Sequence, residues 1–111
     1  PGALILRGRR ARAASDPHLK GEAILTLGAV GYQEGAEMIA EELQRIIRAP
    51  QSDSLADEVV AHSCIVSLAR FRTEESIAAL SAAGSDTVWL PKYLRTLAKE
   101  QLRSVLVRSR S

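Results

Sequence analysis

The stretch 16-DPHLKGEAILTLGAVGYQEGAEMI-39 decides the fold, because it contains two amphipathic helix patterns separated by a glycine turn. Asp16 is typical of a helix N-cap, and Pro17 suits the first helical position, where its missing N–H costs no hydrogen bond. Gly31 is typical of a left-handed cap at the end of a helix. The stretch therefore predicts one helix between Asp16 and Gly31 and a second helix directly after it.

Apolar residues along the chain recur at spacings of three and four, which place them on one face of a helix. The predicted inward residues of the first helix are Leu19, Ala23, Ile24, Leu27 and Val30. Those of the second helix, which should stop before Pro50, are Ala36, Ile39, Ala40, Leu43, Ile46 and Ile47. A third helix is predicted from about Leu55 to Phe71, with Val60, Cys64, Ile65 and Leu68 inward. A fourth is predicted from Glu74 to about Ala83, ending at Gly84.

The helical pattern repeats along the chain, which is typical of proteins built from stacked helix pairs. Identical residues at an offset of 41 are few, and the clear pairs are Ile24 and Ile65, Leu27 and Leu68, and Glu34 and Glu75. A third copy follows after another 34 residues, with the large-small-large pattern Leu94, Ala98 and Leu102. Its first helix is present, and no second helix follows it.

The stretch 16–39 resembles a HEAT repeat of the short bacterial type that also occurs in phycobilin lyases. The shared pattern is an Asp-Pro opening, a Leu, a small residue, Leu-Gly, a short glycine turn and a second amphipathic helix. The resemblance covers residues 16–47 closely, residues 57–83 loosely, and one helix within 90–108. It implies an α-solenoid, in which stacked helix pairs share a core and the second helices line a binding surface.

The predicted fold class is therefore all-α, an α-solenoid of antiparallel helical hairpins with about two and a half HEAT-like repeats. The repeat domain is placed at 16–111, with units at about 16–48, 55–84 and 90–108. Residues 1–15 are a separate basic segment, which can be the end of a preceding helix.

The glycines of the opening stretch allow a second hypothesis, that the turn cradles a phosphate. Their spacing, GxxGxxxG, matches neither the phosphate loop GxxxxGK[ST] nor the dinucleotide pattern GxGxxG. Each glycine is instead expected to have a structural role. Gly28 allows close helix approach, Gly31 caps the first helix, and Gly35 lies near the start of the second.

Composition and charge favour a cytoplasmic protein that does not enter membranes. Cys64 is the only cysteine, which excludes an internal disulfide, and no apolar run approaches the ~20 residues that span a bilayer. The net charge of +2 is unevenly distributed, because residues 16–87 carry −7 while 1–15 carry +4 and 88–111 carry +5. Basic ends on an acidic body can attract an anionic partner or a second copy of the chain.

The side chains suited to catalysis are few, and we expect no enzyme activity, cofactor or metal. The helix-spaced pairs His18 with Glu22 and Glu58 with His62 are typical of surface pairs more than of metal sites. Cys64 occupies a small inward position typical of packing. HEAT-like hydroxylases carry His-Glu pairs, and no His here is followed by Glu. A subunit of a HEAT-like lyase or hydroxylase stays an alternative function.

The predicted function is a non-catalytic scaffold that binds another protein or a peptide through its helical surface. The partner-binding candidates, all on the second helices of the repeats, are Gln33, Glu37, Glu41, Gln44, Arg48, Glu74, Glu75, Ala78 and Ser81.

The basic last helix supports a weaker alternative, a nucleic-acid-binding HEAT module. Its anion-binding candidates are Lys92, Arg95, Lys99, Arg103 and Arg110. Self-association is also expected through this incomplete repeat, because no helix follows to cover its apolar residues. The residues expected to be exposed are Leu94, Leu97, Leu102, Val105 and Leu106.

Overall fold

The structure, a computed structural model, describes residues 16–48 and 54–110, with the side chains of Ser54, Ser109 and Arg110 left out. The predicted segment 1–15 lies outside the described residues. The described part of the chain forms helices and turns and contains no strand. The helices are α1 (Pro17–Val30), α2 (Gln33–Arg48), α3 (Ser54–Leu68), α4 (Glu74–Ala83) and α5 (Lys92–Arg110). The all-helical fold class is thus confirmed.

The ends of α1 follow from local chemistry. The Asp16 carboxylate accepts hydrogen bonds from the backbone N–H groups of His18, at 3.0 Å, and Leu19, at 3.3 Å. Pro17 occupies the first helical position. Gly31 has φ 82°, and its N–H donates to the carbonyl of Leu27 at 3.2 Å. The predicted start and end of this helix are confirmed, and Gly31 is the described residue whose backbone most requires glycine.

The helices form two layers. In one layer α1 packs against α3 and α3 against α5, while in the other α2 packs against α4. The layers meet where α2 contacts α1 and α3, and where α4 contacts α3 and α5. The helices together measure 40 × 32 × 17 Å. The shortest dimension corresponds to about two layers of helices. A flat slab of this shape leaves the outer faces of both layers accessible.

Small residues bring α1 and α3 close together. Gly21 and Gly28 are buried against Ser63 and Ser67, and the Ser67 hydroxyl donates to the carbonyl of Ile24 at 3.1 Å. A Cβ atom added at Gly28 would lie 2.9 Å from the Cβ of Ser67. The predicted role of Gly28 in close approach is confirmed.

The same packing corrects the predicted inward face of α1. Leu19 and Val30 are 49% and 54% exposed, Ala23 is exposed, and Leu27 is only half-buried. Of the predicted set, Ile24 alone is fully buried. Apolar residues occur all around α1, so periodicity could not identify the inward side. The inward side is the one where glycines allow α3 to approach.

The main core lies between the layers and agrees better with the predicted pattern. The α2 residues predicted inward are buried, apart from half-buried Ile47, and so are Val60, Cys64, Ile65 and Leu68 of α3. The third helix ends at Leu68, three residues before the predicted end. Phe71 nevertheless remains buried, because the turn that follows α3 folds it against the core.

The last helix is better covered than the sequence predicts. Leu94 and Val105 are fully buried, and Leu97 and Leu102 pack half-buried against the core. The expectation that these four side chains are exposed is wrong, because α5 packs against both α4 and α3. Leu106, at 39%, is the one exposed member of the predicted set.

Side chains from distant segments tie down two helix ends. The indole Nε1–H of Trp89 donates to the carbonyl of Ile46, in the last turn of α2, at 2.9 Å. The Arg108 guanidinium donates to the carbonyl of Ala69, just beyond α3. Carbonyls at a helix end lack partners within the helix, and a cation there also complements the helix dipole. These contacts join α2 to the turn before α5, and α5 to the end of α3.

Candidate interaction surfaces

The predicted partner-binding side chains lie on the outer faces of α2 and α4, and we call this surface the α2–α4 face. The exposed members are Gln33, Glu37, Glu41, Arg48, Glu74, Glu75, Ala78 and Ser81, while Gln44 is half-buried. Because α2 and α4 pack side by side, the candidates on α2 and those on α4 belong to adjacent helices of one layer. The structure therefore brings the predicted residues into one neighbourhood.

The α2–α4 face is acidic. It carries the carboxylates of Glu37, Glu41, Glu74 and Glu75 against the single guanidinium of Arg48. Within the described residues, none of these four carboxylates forms a salt bridge. Their charge is therefore directed to solvent or to a partner, and it would favour a cationic partner over an anionic one.

A charged cluster that sequence analysis missed connects α1, α2 and α3. The Glu42 carboxylate accepts from the Lys20 ammonium at 2.9 Å and from the Arg45 guanidinium at 2.7 Å. Arg45 also lies 3.7 Å from the carboxylate of Asp57, which is 4% exposed in the first turns of α3. Only the spacing of Glu42 and Arg45 within one helix is visible in the sequence.

The chemistry of this cluster is that of a stabilising ion network. Burial opposes ionisation of Glu42, but the hydrogen bonds from Arg45 and Lys20 and their charges outweigh it and lower the pKa of Glu42. The hydrogen bond to Glu42 correspondingly raises the pKa of Arg45. Each charge has an opposite partner, so the cluster holds three helices in register.

The predicted anion-binding helix has part of its charge neutralised locally. The Asp86 carboxylate lies 3.0 Å from the Lys99 ammonium and 3.5 Å from the Arg95 guanidinium. The hydrogen bond from Lys99 lowers the pKa of Asp86. Lys92 and Arg103 are exposed and form no salt bridge within the described residues, and the side chain of Arg110 lies outside them.

An open groove of about 660 Å³ lies between α3 and α5. Its lining includes His62, Tyr93, Leu97 and Glu100. The Tyr93 hydroxyl donates to the Glu58 carboxylate at 3.1 Å. Slight burial, together with this hydrogen bond and the negative charge of Glu58, raises the pKa of Tyr93. Glu58, whose spacing in the sequence would pair it with His62, thus binds Tyr93 of α5.

Cys64 has the environment of a packing residue. Its side chain is fully buried in the core, and burial raises the pKa of the thiol far above its ordinary value. A thiolate is the reactive form of cysteine, so this environment opposes use of Cys64 as a nucleophile. Its inward position was predicted and is confirmed.

Within residues 16–48 and 54–110, no three His, Cys, Asp or Glu side chains lie close enough together to hold a metal ion. None of the helices in the described ranges has the length and apolar character needed to cross a membrane.

Comparisons with known proteins give no match to a family model, to a curated protein or to a solved structure. The surfaces described above are therefore interpreted from their own geometry and charge.

Proposed function

We propose that this chain is a non-catalytic scaffold of HEAT-like helical repeats that binds another protein or a peptide through the α2–α4 face. The observation that carries the proposal is the side-by-side packing of α2 and α4 with unpaired carboxylates on their exposed sides. In repeat proteins a surface of this kind, built by equivalent helices of successive units, is the usual site of partner binding.

The packing of the helices supports the HEAT-like part of the proposal. First helices of the hairpins contact first helices, and second helices contact second helices, as expected when hairpins stack in one direction. The close approach at Gly21 and Gly28 restricts sliding between α1 and α3, and the hydrogen bond from Trp89 to Ile46 restrains the end of α2. A surface held in this way is preorganised, which lowers the entropy lost on binding.

The charge of the face defines the class of partner. Four carboxylates against one guanidinium favour a segment rich in lysine or arginine. Exposed charges of this kind act mainly on association rate and selectivity, and salt screens them. We therefore expect binding to a basic peptide or protein surface that weakens as ionic strength rises.

Site-directed photo-crosslinking in cells tests this proposal. A photoreactive residue in place of Ala78, in the middle of the face, should capture a discrete protein partner that mass spectrometry can identify. The same residue in place of His62, on the opposite layer, is the matched control. Adding Glu37→Lys and Glu41→Lys to the Ala78 probe should abolish capture while the helical circular dichroism spectrum is retained. Equal capture from both probe positions, or capture unaffected by charge reversal, would contradict the proposal.

A further inference from the structure

The end of the slab formed by α1 carries an exposed apolar surface, which we call the N-end face. It consists of Leu19, Ala23 and Val30 on the side of α1 opposite the buried Gly21, Ile24 and Gly28.

The internal repeat shows what such positions do when a neighbouring helix pair is present. Leu19 and Ala23 correspond to Val60 and Cys64, which are both buried in α3. In the described part of the chain, α3 has a neighbour on each side within its layer, α1 and α5, whereas α1 has only α3. The N-end face therefore has the composition of a surface that another helix layer covers.

The opposite end of the slab, which we call the C-end face, has matching chemistry. Lys92, Arg103, Leu106 and Val107 lie on the side of α5 away from the buried Leu94 and Val105. Val107 is 60% exposed. This face combines apolar side chains with cations that have no salt bridge within the described residues.

The two ends also differ in the sign of their charge. Residues 16–48 contain six acidic and three basic side chains, whereas residues 84–110 contain two acidic and six basic ones. Glu22 and Glu34 are exposed on α1 and α2 and form no salt bridge within the described ranges. An apolar surface flanked by carboxylates at one end thus complements an apolar surface flanked by cations at the other.

We propose that copies of this chain stack head to tail, with the N-end face of one copy packed against the C-end face of the next. In this arrangement α5 of one copy lies beside α1 of another and continues the helix layer. The contact is heterologous, because two different surfaces meet, so it leaves one free face of each kind and allows further copies to add. The α2–α4 face takes no part in this contact, so the inference stands independently of the proposed partner.

Two variants block one face each without disturbing the fold. Ala23→Arg places a bulky cation in the N-end face, where it would repel the cations of the C-end face, and arginine is a good helix former in the helix interior. Arg103→Glu reverses a charge at the C-end face on an exposed, unpaired side chain. Ala78→Glu, on the α2–α4 face, is the matched control for an added carboxylate. Thermal unfolding followed by circular dichroism verifies that all three remain folded.

Sedimentation velocity of the full chain, from micromolar to millimolar concentration, measures the outcome. For the wild type and Ala78→Glu we expect a mass that grows with concentration beyond the dimer and declines as salt is raised. Each blocked variant alone should have a dissociation constant at least about tenfold higher than that of the wild type, and should remain mainly monomeric at concentrations where the wild type associates. An equimolar mixture of Ala23→Arg and Arg103→Glu should form a 1:1 dimer, because each supplies the face that the other lacks.

Three results would overturn the inference. A wild-type chain that stays monomeric throughout the concentration range would show that copies of the chain do not stack. Dimers formed by each blocked variant alone would indicate a symmetric contact through one kind of face. A mixture that remains monomeric would show that the two faces do not bind each other.

Discussion

The close contact between α1 and α3 predicts an unusual response to the substitution of glycine by alanine. In an exposed helix, Gly→Ala stabilises by about 1 kcal/mol through helix propensity. At Gly28 the added Cβ would lie 2.9 Å from the Cβ and 3.2 Å from the Cα of Ser67, so the backbone of α3 must move. Overpacking of this kind costs about 1–3 kcal/mol, and loss of the hydrogen bond from Ser67 to Ile24 adds about 1 kcal/mol. The expected net loss for Gly28→Ala is about 1–3 kcal/mol.

Gly21→Ala is the matched control within the same helix and the same contact. Its added Cβ would lie 2.6 Å from the Oγ of Ser63 but 3.5 Å from the Cβ of that residue. A hydroxyl at the end of a side chain can rotate away, whereas Ser67 meets Gly28 with its Cβ and its backbone. We therefore expect Gly21→Ala to cost at least about 1 kcal/mol less than Gly28→Ala.

Urea unfolding followed by far-UV circular dichroism measures both free energies of unfolding, and the melting temperature of Gly28→Ala should fall by about 4 °C or more. Ser67→Gly removes the Cβ that the added methyl group would meet, so Gly28→Ala should cost little or nothing in that background. Equal stability of the wild type and Gly28→Ala would refute the close contact. An equal loss at Gly21 and Gly28, unrelieved by Ser67→Gly, would show that helix proximity at Ser67 is not the cause.

Three further substitutions or treatments test other contacts. Trp89→Phe removes the N–H that binds the Ile46 carbonyl and should lower the free energy of unfolding by about 1–2 kcal/mol, whereas an unchanged urea midpoint would dismiss this contact. Because the folded-state pKa of Glu42 is below its ordinary value of 4.5, its ionised form stabilises the fold above that pH and the contribution is lost as pH falls through the folded pKa. Glu42→Gln should therefore be less stable than the wild type at neutral pH, with a difference that narrows in acid; a difference independent of pH would contradict the ion network. Buried Cys64 should react with an alkylating reagent only after denaturant is added, and rapid labelling of the native chain would place the thiol at the surface.

Local chemistry made the helix boundaries of the first hairpin predictable. Asp16, Pro17 and Gly31 act on the backbone within a few residues of themselves, so their roles follow from sequence alone. The inward faces of α2 and α3 were also predictable, because one side of α2 is polar and the predicted α3 residues lie in the centre of the slab.

The faces of α1 and α5 were not predictable in the same way, because tertiary packing chooses among several apolar sides. In α1 the inward side is determined by Gly21 and Gly28, which have no side chain and so allow α3 to approach closely. In α5 the burial of Leu94 and Val105 requires α3 and α4 to be in place. The network of Lys20, Glu42, Arg45 and Asp57 joins three helices and is invisible to any pattern confined to one of them.

The proposed α2–α4 face has one feature that the sequence predicts and one that depends on tertiary packing. Sequence periodicity places its residues on polar helix sides, and that part needs no tertiary information. These residues form one surface only because α2 packs against α4. The two helices are separated in the sequence by the whole of α3, so this contact is not visible in a local pattern. The property of the partner that the chain indicates is its charge, because the exposed carboxylates of this face favour a cationic surface.

The most direct test of the central claim is the affinity of the captured protein for the wild type and for the Glu37→Lys, Glu41→Lys double variant, measured by isothermal titration calorimetry at low and high salt. We expect saturable binding by the wild type, at least about tenfold weaker binding by the double variant, and a smaller difference between the two affinities at high salt. Equal affinities of the two proteins at low salt would contradict binding through the α2–α4 face.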